Sequence, residues 1–166
     1  MKTLIVLTSP PACGKTTWAK NFQKDHANVF VVSSDEIKEE LIKNSNDTSR
    51  LDLEVWETFD RRITEYANQD LPNVTVIADS LCDLNEWRLK IVRTHPEFDR
   101  YLLVIFTCLL EESIENNKNR DEKSIVPEDV LLDSWNKFER PTPEVIECYD
   151  EFIRVIGNYK RTKPNK

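Results

Sequence analysis

Glycine is nearly absent from this 166-residue chain: there are only two, Gly14 and Gly157. Tight turns and close backbone approaches fall on glycine first, so the place of each one is informative. Long apolar runs are lacking as well, and none approaches the ~18 residues of a membrane span. The opening "MKTLIVL" runs into Pro-Pro and Gly-Lys, with no extended apolar stretch and no small-residue cleavage site, which argues against a signal peptide. A cytoplasmic protein with no membrane partner is expected. The four cysteines, Cys13, Cys82, Cys108 and Cys148, lack any C-x-x-C spacing or nearby histidine pair, so neither a zinc site nor a disulfide framework is indicated. Basic charge is in deficit. The formal net charge of −7 opposes broad attraction to nucleic acid and leaves room only for a local basic groove. The exception is the tail at 157–166, with four basic residues and no acidic one, which reads first as a solvated terminus.

What is present alternates. "TLIVLT", "NVFVVSS", "NVTVIAD" and "RYLLVIFTCLL" are short apolar runs suited to buried strands, and helical stretches separate them. Ser34 or Asp35 is placed to cap the helix after the second strand. Between Leu51 and about Asn68, residues Leu53, Trp56, Phe59, Ile63 and Tyr66 recur every three or four positions, as on an amphipathic helix. Pro127 suits the first turn of another, and "EFIRVI" reads as a last strand or as the end of a helix begun at Glu144. No repeat or Gly/Ser linker divides the chain, so residues 1–166 are expected to form one domain. The alternation implies an α/β fold, three layers α/β/α around a parallel sheet of about five strands, with ligands beyond the strands' carboxyl ends.

Gly14 stands between the first strand and the first helix, directly before Lys15 and Thr16. In G-x-x-x-x-G-K-[ST] loops, backbone amides wrap phosphates, the lysine reaches the outer phosphates and the hydroxyl meets magnesium. Ser9 stands where the first glycine is usual, and Pro10 and Pro11 donate no N–H. The donors must therefore come from Ala12, Cys13, Gly14, Lys15, Thr16 and Thr17. Cys13 reads as a small packing residue. The alternative for the whole segment is a plain strand-to-helix turn.

On "LTSPPACGKTTWAKNF", "SSDEIK", "VIADS" and "NNKNRDEKSIVPEDVL" the chain resembles the small P-loop kinases, most closely the kinase domains of phage-type polynucleotide 5′-kinases and related zeta-toxin and adenylate-kinase-like phosphotransferases. The resemblance spans nearly the whole length. It implies a small lid at about 116–126, ATP or another nucleoside triphosphate as donor, and Mg2+ as cofactor. It implies Asp35 as the base for the acceptor hydroxyl and Arg120 as the lid arginine on the transferring phosphoryl group. Lysine, metal, carboxylate and arginine form a sufficient set for phosphoryl transfer on chemical grounds too. Each residue also has a plainer role: Asp35 as a helix cap, Arg120 as a solvated loop charge. Asp79, ending a strand, either holds magnesium with Thr16 or terminates the strand. Lys38 stands where the polynucleotide kinase pattern has an arginine that contacts an acceptor phosphate, which keeps the charge but loses the bidentate fork. Asn116 stands where relatives often carry an arginine. Arg61, Arg62 and Arg88 default to solvated helix surface, and His26 and His95 to loops without a role.

The expected activity is an ATP- and Mg2+-dependent transfer to a hydroxyl, a polynucleotide or nucleotide 5′-hydroxyl first. A small-molecule kinase acting on a metabolite, sugar or antibiotic, and a non-catalytic ATP-binding module, are the alternatives. Nothing in the sequence calls for an obligate protein partner.

Overall fold

The structure is a computed structural model that describes residues 1–157; the rest of the basic tail lies outside the described residues. The strands β1 (Lys2–Thr8), β2 (Val29–Ser33), β3 (Val74–Asp79), β4 (Arg100–Thr107) and β5 (Glu151–Ile156) form one sheet in the order β2-β3-β1-β4-β5. All four pairings are parallel. Among the described residues seven α-helices accompany them: α1 (Lys15–Asp25), α2 (Ser34–Asn44), α3 (Leu51–Ala67), α4 (Asn85–Thr94), α5 (Leu110–Lys118), α6 (Glu128–Lys137) and α7 (Pro143–Glu147).

Strand alternation divides the core in two. Leu4 and Val6 of β1, Val74, Val76 and Ala78 of β3 and Leu103 of β4 pack with Ile37, Val55, Phe59, Ile63, Ile91 and Val145 on one face. Ile5, Leu7, Ile77, Val104 and Phe106 face the other way, toward Ala19, Trp18, Phe22 and Trp135. Strands apolar on both faces are what a covered parallel sheet requires. The three-layer expectation therefore holds, and "EFIRVI" is a strand, with the short α7 before it.

Three local readings are corrected. The cap of α2 is Ser33, whose hydroxyl accepts from the Glu36 amide at 3.3 Å, so neither Ser34 nor Asp35 performs that role. The buried stripe of α3 is Val55, Phe59, Ile63 and Ala67; Leu53 and Trp56 remain 48% and 47% exposed. Both stripes share Phe59 and Ile63, and the sheet lies on the side of Val55 and Ala67. Pro127 sits one residue earlier than expected, as the cap of α6.

The strand order places the end of β1 between β3 and β4, with the next strand in the chain, β2, beyond β3. At such a switch point the loops diverge and open a crevice at the strands' carboxyl ends. The loop from Ser9 to Gly14 lies there.

Candidate phosphate-binding site

The loop is built from backbone. Ala12 (φ 57) and Gly14 (φ 88) are left-handed, and Gly14 caps α1 without a side-chain bond. Alternating handedness turns successive amides to one side, and the first amides of a helix have no intrahelical carbonyl to meet, which makes an anion-binding concavity. Helix α5 holds the loop's carbonyls from behind. The Ser113 hydroxyl donates to the Pro11 carbonyl at 2.6 Å, the Asn116 amide donates to the Ala12 carbonyl at 2.9 Å, and the Trp135 indole donates to the Ser113 hydroxyl at 2.9 Å. With its carbonyls engaged by α5, the loop is free to present amides outward. The sequence reading missed this support; its signal is the spacing of Ser113 and Asn116, one turn apart on the helix after β4.

The side chains of Lys15, Thr16 and Asp79 converge. Asp79, only 3% exposed at the end of β3, accepts from the Thr16 hydroxyl on Oδ2 at 2.8 Å, and its Oδ1 lies 3.3 Å from Lys15 Nζ. Lys15 also donates to the Ser80 carbonyl. Thr16 and Asp79, three strands and helices apart in sequence, thus form one oxygen-rich corner. Hydroxyl and carboxylate oxygens are hard donors of the kind magnesium takes alongside phosphate oxygens, so the pair fits that ion.

Arg120, exposed after the end of α5, lies within electrostatic reach of Asp35. Crowding by neighbouring atoms desolvates the Arg120 guanidinium and lowers its pKa, while the Asp35 carboxylate, and after it the Cys13 thiol, act in the opposite sense. Arg120, the α2 carboxylate and the loop therefore share one electrostatic neighbourhood. Asp35 and Lys38 are exposed on the same side of α2, and Lys38 has no ion partner among the described residues. The segment carrying Arg120 is closed at its base by Asn117, whose amide donates to the Val126 carbonyl at 2.8 Å and accepts from the Val126 amide at 3.1 Å. A short 3-10 turn at Glu122–Ser124 lies within it.

The remaining candidate cations are otherwise engaged. Arg61 pairs with Glu65 and Arg62 with Glu40. Arg88 corrects the solvated-surface expectation: it is fully buried, and donates to Thr8 Oγ1, the carbonyls of Cys82, Asp83 and Glu139, and Asn85 Oδ1. Burial lowers its pKa. The signal was its place three residues before Ile91 on α4, in line with the flanking Leu84 and His95 at helical spacing. His95 lies in the loop just past α4, as expected, but it is buried and contacts Asp60 at 2.9 Å and Glu97 at 3.1 Å.

Beside the loop, a cleft of about 270 Å³ is lined by Thr107, Cys108, Leu109, Glu112, Ile156 and Gly157, beyond the ends of β4 and β5. A larger hollow of about 510 Å³ is lined by Thr48–Leu53 alone and shares no residue with the phosphate loop. Among the described residues no helix is long and apolar enough to cross a membrane.

A family model described as AAA domain matches residues 4–141. Among solved structures, the chain is similar to Kti12 of Chaetomium thermophilum in complex with ADP-AlF3, at 15% identity and TM-score 0.69, covering 92% of this chain and 88% of that one. It is similar to a chain of the Pnkp1/Rnl/Hen1 RNA repair complex at 16% identity and TM-score 0.70, covering 90% of this chain and 46% of that one, so it spans less than half of that protein. A gluconokinase from Sinorhizobium meliloti 1021 aligns at 12% identity and TM-score 0.62, over 95% and 83%. These likenesses establish the fold, that of the small P-loop kinases.

Proposed function

The chain belongs to the AAA-domain family of P-loop proteins, and from that premise we propose that it is a phosphotransferase moving the γ-phosphate of ATP to a hydroxyl, with a nucleotide or polynucleotide 5′-hydroxyl as acceptor. The observation that carries the transfer reading is the action of the Asp35 carboxylate, with the Cys13 thiol of the loop, on the Arg120 guanidinium. A carboxylate and a guanidinium beside a phosphate cradle are placed to serve attack and charge development respectively.

In this reading the amides of Ala12 to Thr17 hold the donor's phosphates and Lys15 engages the outer ones. The cleft between the ends of β4 and β5 offers the nucleoside an apolar wall in Leu109 and Ile156. Thr16 and Asp79 would hold a magnesium ion, which would neutralise charge on the phosphate oxygens. Asp35 is exposed and relieved of capping by Ser33, so its carboxylate is available to orient an acceptor hydroxyl and take its proton. Arg120 would meet the equatorial oxygens as charge builds on them.

Lys38, one turn beyond Asp35, supports an acceptor that bears a phosphate. The kinase-like chain of an RNA repair complex among the structural neighbours accords with that. One observation favours a second reading, a small-molecule kinase: Arg61 and Arg62 are paired with carboxylates and Arg88 is buried, which leaves little free positive charge for a nucleic acid.

Transfer of labelled γ-phosphate to a panel of 5′-hydroxyl DNA and RNA oligonucleotides, nucleosides and sugars separates them. Label on oligonucleotides is the expected outcome. Label confined to sugars or other small hydroxyls moves the assignment to the second reading, and ATP binding without any acceptor labelled would make the chain a binding module.

A further inference from the structure

Two of the four cysteines meet at the phosphate loop. Cys13 is 1% exposed, in the loop's centre between the left-handed Ala12 and Gly14. Cys108 is the first residue beyond β4, half-buried, packed in the same apolar cluster as Cys13 and lining the neighbouring cleft. The Cys13 thiol donates to the Pro11 carbonyl at 3.7 Å, and each of the two thiols is the chief influence on the other's titration. All four cysteines are free, but Cys82 is buried elsewhere in the core, and the exposed Cys148 lies between α7 and β5.

We infer that Cys13 and Cys108 are an oxidisable thiol pair, and that a peroxide converts them to a disulfide that disables the phosphate loop. The inference rests on the reading of this loop as a nucleotide site. Its geometry assigns distinct roles to the two sulfurs. Cys108 borders a cleft open to small oxidants, whereas Cys13 is shielded beneath it. Cys13 beside it lowers the Cys108 thiol from its ordinary value, and Cys108, with burial, pushes the Cys13 thiol up. The accessible sulfur is thus the one favoured as thiolate, the nucleophilic form.

The Cys108 thiolate attacks one oxygen of hydrogen peroxide; an S–O bond forms, the O–O bond breaks and hydroxide leaves. The Cys13 sulfur then attacks the resulting sulfenic acid, an S–S bond forms, and the departing hydroxide takes the Cys13 proton as water. The two sulfurs together lose two electrons, and the peroxide gains them on becoming water. A disulfide of ~2.05 Å is far shorter than a non-bonded approach of two thiols, so its formation draws Cys13 and the end of β4 together. Cys13 is flanked by the two left-handed residues that aim the loop's amides. Displacing it turns those amides away from a phosphate and tightens the cleft beside them.

The test uses the full chain carrying Cys148→Ser, to suppress intermolecular linkage, treated with hydrogen peroxide with and without Mg-ATP. Peptide mass mapping without reductant reads the linkage, and calorimetry reads ATP affinity. Expected are a peptide pair joined through Cys13 and Cys108, slower to form under Mg-ATP, and a loss of ATP affinity of about 10-fold or more that dithiothreitol reverses. In a Cys108→Ser protein, peroxide should leave whatever ATP affinity that protein has unaltered. If the reduced protein binds ATP but forms no such linkage, or stays equally tight once linked, the switch is overturned and the nucleotide reading stands. A reduced protein that binds no ATP overturns the nucleotide reading and the switch with it.

Discussion

Asp35 illustrates how one neighbour changes a residue's meaning. From the sequence its carboxylate served equally well as a helix cap or as a base, because both roles want an acid just after a strand. The Ser33 hydroxyl on the Glu36 amide takes the capping role and separates them. Asp35→Asn should therefore leave thermal stability and ATP affinity nearly unchanged while transfer to the acceptor falls by about 100-fold; unaltered turnover would return Asp35 to the solvated surface. The chemistry of Gly14, Lys15 and Thr16 was legible because a phosphate loop is defined by residue order along the chain. Arg88 was not, because an arginine on a helix is solvated by default and only its partners from β1, the β3–α4 loop and the segment after α6 reveal otherwise. Its removal takes a donor from the Asp83 and Glu139 carbonyls and Asn85 Oδ1, and leaves Thr8 and the Cys82 carbonyl only each other. Arg88→Ala should cost ~3–5 kcal/mol in chemical denaturation. Arg88→Lys should recover little of it, since a lysine cannot reproduce the planar fork.

Among the elements, the strands were the most readable, because a sheet covered on both faces demands continuous apolar runs, and few other segments of this chain supply them. The α3 stripe was harder. Leu53 and Trp56 fit a helical period as well as Val55 and Ala67 do, and only the position of the sheet decides between them. The segment around Arg120 was legible as polar and glycine-free but not in its fastening. Asn117 closes it with two hydrogen bonds to Val126, and the same helix carries Ser113 and Asn116 to the phosphate loop. The phosphate loop and the Arg120 segment therefore share α5 as a common support. Asn117→Ala should release the segment 118–125 without touching the phosphate loop, at a cost of ~1–3 kcal/mol from the unpaired Val126 groups. Hydrogen exchange should quicken there while the strands stay protected, and turnover should suffer more than ATP affinity because Arg120 loses its placement. Exchange unchanged at 118–125 would show that other contacts hold the segment.

For the molecule as a whole, the parallel sheet separates chemistry from anchoring. The phosphate loop, Asp79 and Asp35 lie at the strands' carboxyl ends, and the opposite end is tied by His95, just past α4. Its imidazole contacts Asp60 on α3 and Glu97, the Thr64 hydroxyl donates to Glu97 at 2.9 Å, and the Tyr101 hydroxyl donates to the His95 carbonyl at 2.6 Å. Burial alone would push this histidine down, but the bonds from Asp60 and then Glu97 outweigh it and its pKa is raised. Glu97 is lowered: burial opposes, and hydrogen bonds from the backbone, His95 and Thr64 prevail. The two shifts bound a window of pH. A histidine raised above 6.5 on folding contributes stability that is complete below 6.5 and is lost as pH climbs through its folded value. A glutamate lowered from 4.5 contributes stability present above 4.5 and lost as pH falls through its folded value. The cluster should therefore stabilise most between those two pH values. His95→Gln keeps a hydrogen-bonding group but cannot charge, so the difference in unfolding free energy between parent and variant isolates the histidine from every other titration. That difference should be greatest just below pH 6.5 and shrink steadily on the alkaline side, as urea denaturation of the two proteins across this range would record. A difference that stays level from acid to alkaline pH would mean that His95 remains neutral between its two carboxylates and holds α3 to α4 by hydrogen bonds alone.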